Sequence, residues 1–433
     1  MRYLIIGAGP AGLYAAGKIL DDDPKARVTV VEKASHPGGR TRMIEYEGTL
    51  VPGGAGVVRE TDVRLRALCA RYGIPLTFTA KSPCYRGFTP RRDLLGLIDK
   101  FSRVPLTPEE RSRTTFQEFL EQQLPDPTDR QVFMDTVGYT DYLNADVVDT
   151  LQDYGWRDVV GPPHGTRMSR VDWNHLIQCM AAPRKNLTIT YGTEAVCIER
   201  DLTGGWWVTC SSTTTTTTVY RADRLVLAIP SVAIVRLLRH SHFSGCRTLA
   251  REIDDQVQMQ PFLRLYASLP LTEKKGKSPP SQITRSPLQK SFPMSTTSDQ
   301  QRRLWMLSYS DNAHALTVRN ASTRRLAEWF FDSPHKASDL QDIQPVFYRH
   351  GTHYFKPLSL RYPSRDAFLD YIRNPMENLF ITGEGFSHNQ GWTEGALRVP
   401  SRTTDCTGTV PYGHSSLRTS PSRLVLRGGG RAP

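Results

Sequence analysis

The stretch YLIIGAGPAG, residues 3–12, decides the fold of this chain. Its first four residues form an unbroken apolar run, which is typical of a parallel strand buried on both faces. Three glycines with Gly-x-Gly-x-x-Gly spacing follow, Gly7, Gly9 and Gly12, and then a helical pattern with small residues on one face. A second apolar run, Val28–Val31, completes a βαβ unit of the kind that binds dinucleotides.

The glycine turn and the acid that follows it suit a nucleotide diphosphate. Gly7 permits the tight turn out of the strand, Gly9 allows a pyrophosphate to approach the backbone, and Gly12 allows the helix to pack close to the strand. The pyrophosphate is expected at the helix start, where free N–H groups and the helix dipole favour an anion. Glu32 ends the second strand, twenty residues after Gly12. A carboxylate there accepts hydrogen bonds from both hydroxyls of an adenosine ribose and repels a 2′-phosphate, which disfavours NADP.

Length, composition and charge narrow the class of protein. The chain has 433 residues with 39% apolar and 23% charged side chains, which is typical of two or three globular domains. The net charge is +12, and the segment 398–433, with six arginines and one acid, supplies five of these charges. No basic stripe is interleaved with aromatic residues, so a specific nucleic-acid partner is not expected.

The sequence predicts a cytoplasmic protein without a membrane span. The longest apolar candidate, Leu225 to Leu238, is broken by Pro230 and Arg236 and falls short of the roughly 18 residues of a span. The N-terminal run is too short for a signal peptide and has no cleavage site. Seven scattered cysteines form no Cys-x-x-Cys pair, which favours free thiols in a reducing compartment, and eleven histidines show no metal-ligand spacing.

Turn and loop signals divide the rest of the chain. The pattern predicts β structure over residues 187–229 and a late buried strand over 378–383. The segment 272–300 is rich in Lys, Ser and Pro and is predicted to be a mobile loop or insertion. Residues 399–433 are polar and aperiodic and are predicted to form a disordered tail.

A second glycine motif distinguishes FAD from NAD as the nucleotide. Gly38-Gly39-Arg40 follows Glu32 after five residues. It resembles the GGR motif of the flavin amine oxidase family, whose amides and arginine hold the cofactor phosphates. The resemblance continues, in the same order, as far as residue 398. Its further segments are the glycine turn Pro52–Val58, the strand Thr193–Asp201, the strand Ala222–Pro230, the segment Leu379–Glu384 and the turn Gly391–Ala396.

The resemblance implies an α/β protein of two domains that binds FAD. The implied fold class is a Rossmann-like FAD/NAD(P)-binding domain of the GR2 type with a discontinuous α+β substrate domain. The FAD-binding domain is expected over residues 1–80, 186–255 and 365–398, and the substrate domain over 81–185 and 256–364. Cofactor contacts are expected from Gly7, Gly9, Ala11, Gly12, Glu32, Lys33, Gly39, Arg40, Gly54, Ala55, Val196, Gly383, Glu384, Trp392 and Thr393.

The resemblance also implies a reaction centre. Tyr354 and Trp392 stand where family members place two aromatic rings against the flavin, and such rings steer a substrate nitrogen by their quadrupoles. Arg264 stands at the position of a lysine that holds water near flavin N5; an arginine cannot act as a base there, but it can orient water or anchor an anionic group. Arg59 is a candidate for binding an amino-acid carboxylate. His353 stands where members with covalent flavin have a cysteine, so FAD is expected to bind non-covalently, with a histidyl link left open.

The implied function is oxidation of an amine or amino acid by hydride transfer to the flavin, with dioxygen as acceptor and H2O2 as product. A desaturase or protoporphyrinogen-type FAD oxidase, and a flavin mutase without net redox, share the motifs. A non-enzymatic binding protein like the GDP-dissociation inhibitors shares the N-terminal resemblance, but Glu32, Arg40 and the segment 383–396 argue against it. In the family the helix that opens at 391–396 runs for several turns, whereas Pro400 interrupts it here, which leaves an inactive member as a further alternative. The sequence does not indicate an oligomeric state.

Overall fold

The computed structural model of the chain describes residues 1–80, 83–160, 165–212, 217–271, 279–297 and 300–398. Within these ranges the helices are α1 Pro10–Asp22, α2 Val63–Arg71, α3 Leu94–Phe101, α4 Pro108–Arg111, α5 Phe116–Gln123, α6 Pro127–Val137, α7 Val147–Asp153, α8 Trp173–Met180, α9 Ser231–Arg239, α10 Cys246–Gln256, α11 Asn312–Arg319, α12 Thr323–Phe331, α13 Arg365–Arg373 and α14 Thr393–Ala396. The strands are β1 Arg2–Ile6, β2 Arg27–Val31, β3 Met43–Tyr46, β4 Thr49–Pro52, β5 Val57–Arg59, β6 Cys84–Arg86, β7 Met168–Arg170, β8 Leu187–Thr190, β9 Thr193–Arg200, β10 Trp206–Ser212, β11 Thr217–Ala222, β12 Arg224–Leu227, β13 Val257–Pro270, β14 Gln282–Thr284, β15 Lys290–Thr296, β16 Arg302–Asp311, β17 Gln341–Phe355 and β18 Leu379–Ile381. None of the helices in the described ranges has both the length and the apolar character that a membrane span requires. The predicted tail, 399–433, lies outside the described residues.

A five-stranded parallel sheet carries the glycine turn. Its strand order is β18-β12-β1-β2-β8, and the central strand β1 pairs with β12 on one side and β2 on the other. Side chains along β1 alternate between two cores, because Leu4 and Ile6 point to one face while Tyr3 and Ile5 point to the other. Burial on both faces explains why this strand is continuously apolar, and the predicted βαβ unit is confirmed.

Two different layers cover the parallel sheet. The antiparallel sheet β11-β10-β9, with α9, α10 and α13, covers one face and buries Trp206 and Val208 of β10. The helices α1, α2 and α8 cover the other face through Leu13, Leu65 and Trp173. Strands β8 to β12 lie within 187–229, where β structure was predicted.

A second large sheet has six strands in the order β17-β13-β16-β15-β14-β6, and its pairs are antiparallel except for β14 with β6. Strands β14 and β15 fall within 272–300, so the prediction of a loop was wrong for this part of the segment. The Lys, Ser and Pro content concealed strands that carry buried polar side chains inside the sheet. Lys290 and Ser291 are both buried, and Ser291 Oγ donates to Leu307 O at 2.6 Å.

The two large sheets draw on separate parts of the chain. Every strand of the parallel sheet lies within 1–80, 186–255 or 365–398, and every strand of the six-stranded sheet lies within 81–185 or 256–364. One stretch behaves differently: β7 pairs with β5, and the apolar face of α8 packs into the core beneath α1. We therefore propose that the chain returns to the dinucleotide-binding unit before β7 rather than after α8.

Candidate active site

The glycine turn opens onto a groove of about 350 Å³ at the carboxyl ends of β1 and β2. Most of the residues predicted to contact the cofactor line this groove. They are Gly7, Gly9, Ala11, Glu32, Lys33, Gly39, Arg40, Gly54, Ala55, Gly383, Glu384, Trp392 and Thr393. Motifs from the beginning and the end of the described chain therefore meet in one concave site.

The glycines show whether the groove can accept a nucleotide diphosphate. A Cβ on Gly12 would lie 1.9 Å from the carbonyl oxygen of Gly7, so Gly12 serves the packing of α1 on β1 and does not line the groove. Gly9 and Gly383 have nothing within 4 Å of an added Cβ. Their backbone therefore faces open space in the groove, as the close approach of a phosphate requires, and these residues fit the predicted cofactor.

Glu32 is fixed in the groove by backbone amides. Its Oε2 accepts a hydrogen bond from Ala8 N at 2.7 Å, and its Oε1 accepts one from Ala34 N at 2.8 Å. Each oxygen keeps a second lone pair for a ribose hydroxyl. The predicted contact Val196 does not line the groove, because β9 meets Glu32 through its first residue, whose N–H donates to the Glu32 carbonyl. Residues 193–195 line the groove instead, and Val196 is 38% exposed.

A buried carboxylate in the groove gathers three donors. Glu384 Oε1 lies 2.8 Å from Arg40 Nη2 and 2.5 Å from His353 Nδ1, and Gly391 N donates to Glu384 Oε2 at 3.1 Å. Burial raises the pKa of the Glu384 carboxyl, but His353, Arg40 and the amide outweigh it and lower the pKa to about 2. Ser231 N donates to His353 Nε2 at 3.1 Å, so His353 Nδ1 carries the ring proton and donates it to Glu384. Both ring nitrogens of His353 therefore have partners within the protein.

The groove adjoins a larger cavity of about 880 Å³. Both spaces are lined by one common set of residues, which we call the junction. The junction consists of Ala55, Phe262, Tyr309, Thr352, His353, Gly391, Trp392 and Thr393. A molecule in the groove and a molecule in the cavity would therefore lie against the same residues.

Tyr354 and Trp392, the predicted pair of rings, both line the larger cavity. Burial raises the pKa of the Tyr354 hydroxyl, so this ring stays neutral at physiological pH. The helix α14 that follows Trp392 is a single turn. Because a helix dipole sums over aligned peptides, one turn provides little of the charge stabilisation expected from a longer helix.

Arg59 lies behind Trp392 rather than in the cavity. Its Cζ lies 3.8 Å from the centroid of the Trp392 ring, and its guanidinium pairs with Asp62 at 2.7 Å and Asp158 at 3.0 Å. The residue is 7% exposed and lines neither the groove nor the cavity. Its charge is compensated by two carboxylates, so the structure does not support Arg59 as the anchor of a substrate carboxylate. It positions the ring of Trp392.

We expect Arg59→Gln to lower the free energy of unfolding by about 3–5 kcal/mol, because the change leaves Asp62 and Asp158 without their buried cation. Arg103→Gln is the matched control, since it removes an exposed pair with Asp99 and should cost about 0.5 kcal/mol or less. Urea denaturation of the three proteins measures both values. Equal stability of the two variants would show that Arg59 is not the counter-ion of these carboxylates.

Arg264 lines the larger cavity, as expected for a residue near the reaction centre. The residue is 4% exposed, and its Nη1 lies 3.6 Å from Met306 Sδ. Its Cζ lies 4.6 Å from the centroid of the Tyr309 ring. Among the described residues it forms no ion pair, and its Nε has no hydrogen-bond partner.

Three residues of the junction were missed in the sequence: Phe262, Tyr309 and Thr352, the last of which lies two positions before Tyr354 on β17. Phe262 and Arg264 both lie on β13 two positions apart, and side chains with this spacing share a face of a strand. The alternation of side chains along a strand would therefore have identified Phe262 as a neighbour of Arg264 in the site. Tyr309 follows only from the pairing of β13 with β16, which places Tyr309 opposite Arg264, and this pairing has no local sequence signal.

One histidine that lines the larger cavity, His388, was missed in the sequence. Its Nδ1 lies 2.8 Å from Asp153 of α7 and its Nε2 lies 2.8 Å from Asp366 of α13. Hydrogen bonding to Asp153 and the charges of both acids raise the pKa of His388 above its ordinary value. The His388 imidazolium is hydrogen-bonded through both of its ring nitrogens. It therefore links α7 and α13, which lie in different predicted domains.

This link predicts a pH-dependent stability. Because the pKa of His388 is raised by folding, its contribution is fully present below pH 6.5 and is lost as pH rises through the folded pKa. His388→Asn should therefore lower the free energy of unfolding at pH 6 by about 1.5–3 kcal/mol, with a smaller difference at alkaline pH. Thermal unfolding across the pH range measures this, with the exposed His240→Asn as control. A difference that does not shrink with rising pH would contradict the prediction.

Known proteins share parts of this architecture. A family model described as an NAD(P)-binding Rossmann-like domain matches residues 5–72. No curated protein sequence matches the chain. Among solved structures, a triple mutant of putrescine oxidase with redesigned cofactor binding matches with a TM-score of 0.70 at 15% identity, over 93% of this chain and 97% of that one.

Two further solved structures are similar to this chain over almost its whole length. Wild-type putrescine oxidase bound to putrescine has a TM-score of 0.70 at 14% identity, over 93% of this chain and 98% of that one. Cyclohexylamine oxidase from Brevibacterium oxydans has a TM-score of 0.67 at 16% identity, over 93% and 97%. The chain has the amine oxidase fold. The fold class predicted from the motifs is thereby confirmed: a mixed α/β fold with a Rossmann-like dinucleotide-binding domain and a separate second domain.

Proposed function

We propose that this chain is an FAD-dependent oxidoreductase that oxidises an amine or an amino acid at the carbon next to the nitrogen. The observation that carries this proposal is the junction, where the dinucleotide groove adjoins the cavity lined by Tyr354 and Trp392. We expect a cofactor whose ribose is held by Glu32 to present its reactive ring there. Putrescine oxidase and cyclohexylamine oxidase, which share the fold, are named for amine substrates.

The residues of the groove fit FAD part by part. Glu32 would accept the ribose hydroxyls, and the bare backbone at Gly9 would lie against the pyrophosphate. Arg40 would pair with the phosphates, and it is held for this task by Glu384 at 2.8 Å and by the Gly351 carbonyl at 2.6 Å. The glycine turn Pro52–Val58 would run beside the flavin.

The protein's contribution to the chemistry would be the orientation of the substrate. When bound, FAD would supply the two-electron acceptor for the C–H bond next to nitrogen, with dioxygen as the final acceptor and hydrogen peroxide as the product. Tyr354 and Trp392 would present their ring faces to the substrate nitrogen, and the quadrupole of each ring attracts partial positive charge there. Arg59 keeps the Trp392 ring in place. Arg264 cannot accept a proton from the substrate, so we expect the amine to react in its neutral form.

We expect FAD to be held without a covalent bond. A link to His353 would have to break a hydrogen bond to Ser231 or to Glu384 inside the protein. Precipitating the holoprotein with acid should therefore leave all of the yellow colour in the supernatant. Colour that stays in the pellet would contradict non-covalent binding.

The test of the proposed function is anaerobic addition of a panel of amines and amino acids to the FAD-loaded protein. We expect at least one of them to bleach the visible flavin band, and admission of air to restore the band and release peroxide. A protein that binds FAD but is reduced by none of them would favour an oxidase or desaturase of carbon frameworks, or a flavin mutase. A protein that binds no FAD would favour a non-enzymatic binding protein on this fold.

A further inference from the structure

Arg264 is a buried cation that the described residues leave without an acidic partner. The residue is 4% exposed, and its Nε has no hydrogen-bond partner. The groups around the guanidinium include the Met306 sulfur at 3.6 Å from Nη1, the Tyr309 ring at 4.6 Å from Cζ and the Tyr266 hydroxyl, which interacts with the Arg264 side chain. None of these groups is an acid. A buried charge without a partner is strongly unfavourable, so an anionic ligand at this position would be stabilised.

The guanidinium lies beside the junction. Its Cζ lies 4.6 Å and 5.6 Å from the ring centroids of Tyr309 and Phe262, which both line the groove and the cavity. A Cβ added to Gly56 would lie 3.4 Å from both Nη1 and Nη2. Because residue 56 is a glycine, no side chain at this position covers Nη1 and Nη2 of Arg264. An anion bound by Arg264 would lie close to the carbon that is oxidised.

We propose that Arg264 binds the carboxylate of the substrate, and that the substrate class is therefore an α-amino acid. This inference rests on the proposed function. In an α-amino acid the carboxylate and the amine nitrogen share one carbon, so an anion-binding group beside the junction matches this class. The planar fork of an arginine pairs with both carboxylate oxygens and fixes the direction of the attached carbon. Arg264 thus takes the role that the sequence suggested for Arg59.

The acidic side chains of the same cavity do not compete for Arg264, because each has donors of its own. These donors are Arg365 for Asp149, His388 for Asp153, Arg59 for Asp158, Tyr154 for Asp141, and the amides of Thr140 and Asp141 for Asp311. A second cation that lines the cavity, Lys290, interacts electrostatically with Asp141. Lys290 Nζ lies 3.3 Å from the centroid of the Tyr139 ring, which contacts the ring of Tyr309.

The test compares carboxylates with their neutral amides in three proteins: wild type, Arg264→Met and Arg170→Met. Arg170 is an exposed arginine that lines the same cavity, so its replacement removes the same charge without removing the proposed contact. Calorimetric titration of the common amino acids, as both enantiomers, and of their amino amides measures binding to FAD-loaded and to FAD-free protein. Anaerobic flavin reduction by the amino acids and by the matching decarboxylated amines measures the reaction.

We expect wild type to bind at least one amino acid about 30-fold or more tightly than the amide of that amino acid. The Arg264→Met variant should lose this preference, and the Arg170→Met variant should keep it. Flavin reduction by that amino acid should fall in parallel in Arg264→Met, and reduction by the matching amine should change less than about threefold. Equal binding of all acids and amides by wild type would overturn the inference, as would equal losses for amino acid and amine. The proposed function fails separately, by the absence of bound flavin or of reduction by every nitrogen compound in wild type.

Discussion

Replacing Gly9 with leucine is expected to abolish FAD binding while the apoprotein stays folded. An added Cβ on Gly9 meets nothing within 4 Å, and the φ of −74° is one that any residue adopts. The new side chain enters the groove at the turn where the pyrophosphate is expected. The affinity for FAD should fall by about 100-fold or more, which corresponds to about 2.7 kcal/mol. Quenching of flavin fluorescence during titration of the apoprotein measures the affinity.

Two other glycines serve as controls for this prediction. Gly96→Leu makes the same change on an exposed face of α3 with open space around it, so FAD affinity should be unchanged. Gly12→Ala should lower the melting temperature of the apoprotein, because its Cβ would lie 1.9 Å from the Gly7 carbonyl oxygen. Wild-type affinity in Gly9→Leu would show that the pyrophosphate does not cross this turn.

The second large effect is expected at the two aromatic rings. Replacing both Tyr354 and Trp392 with alanine should lower kcat/KM for the nitrogen substrate by about 100-fold or more, because the substrate loses the surfaces that orient it at the junction. FAD should still bind, since Glu32, Arg40 and the glycine backbone are untouched. Stopped-flow reduction of the bound flavin measures the loss.

Conservative variants separate orientation from general damage. Tyr354→Phe and Trp392→Phe keep a ring at each position and should retain kcat/KM within about tenfold of wild type. Trp207→Ala removes a half-exposed ring on β10, outside the cavity, and should leave the rate unchanged. Unchanged turnover in the double alanine variant would remove the aromatic pair from the reaction centre.

Much of the fold was predictable because its signals are local. The strand β1, the glycine turn and the helix α1 are consecutive in the chain, and burial on both faces of β1 makes the strand apolar without interruption. The late strand β18 was predicted for the same reason. The predicted cofactor residues line one groove because the motifs sit at the ends of parallel strands, which converge at one edge of the sheet.

The remaining features depend on contacts between distant parts of the chain. Arg59 looked free in the sequence, but its partner Asp158 lies 99 residues away, and pairing with it turns the arginine away from the cavity. Val196 was placed by analogy along β9, while the contact with Glu32 is made where that strand begins. Strand β15 was hidden by its polar composition, because Lys290 is buried within the second sheet instead of being exposed in a loop.

Every role proposed for the residues of the groove and the cavity depends on one riboflavin-derived cofactor seated in the glycine groove. The most direct measurement is the flavin-to-protein ratio after the purified chain is incubated with excess FAD and passed through a desalting column. We predict a yellow protein with a ratio near one for wild type, and a colourless one for Gly9→Leu. A wild-type protein that leaves the column colourless, although its melting curve shows that it is folded, would contradict the account.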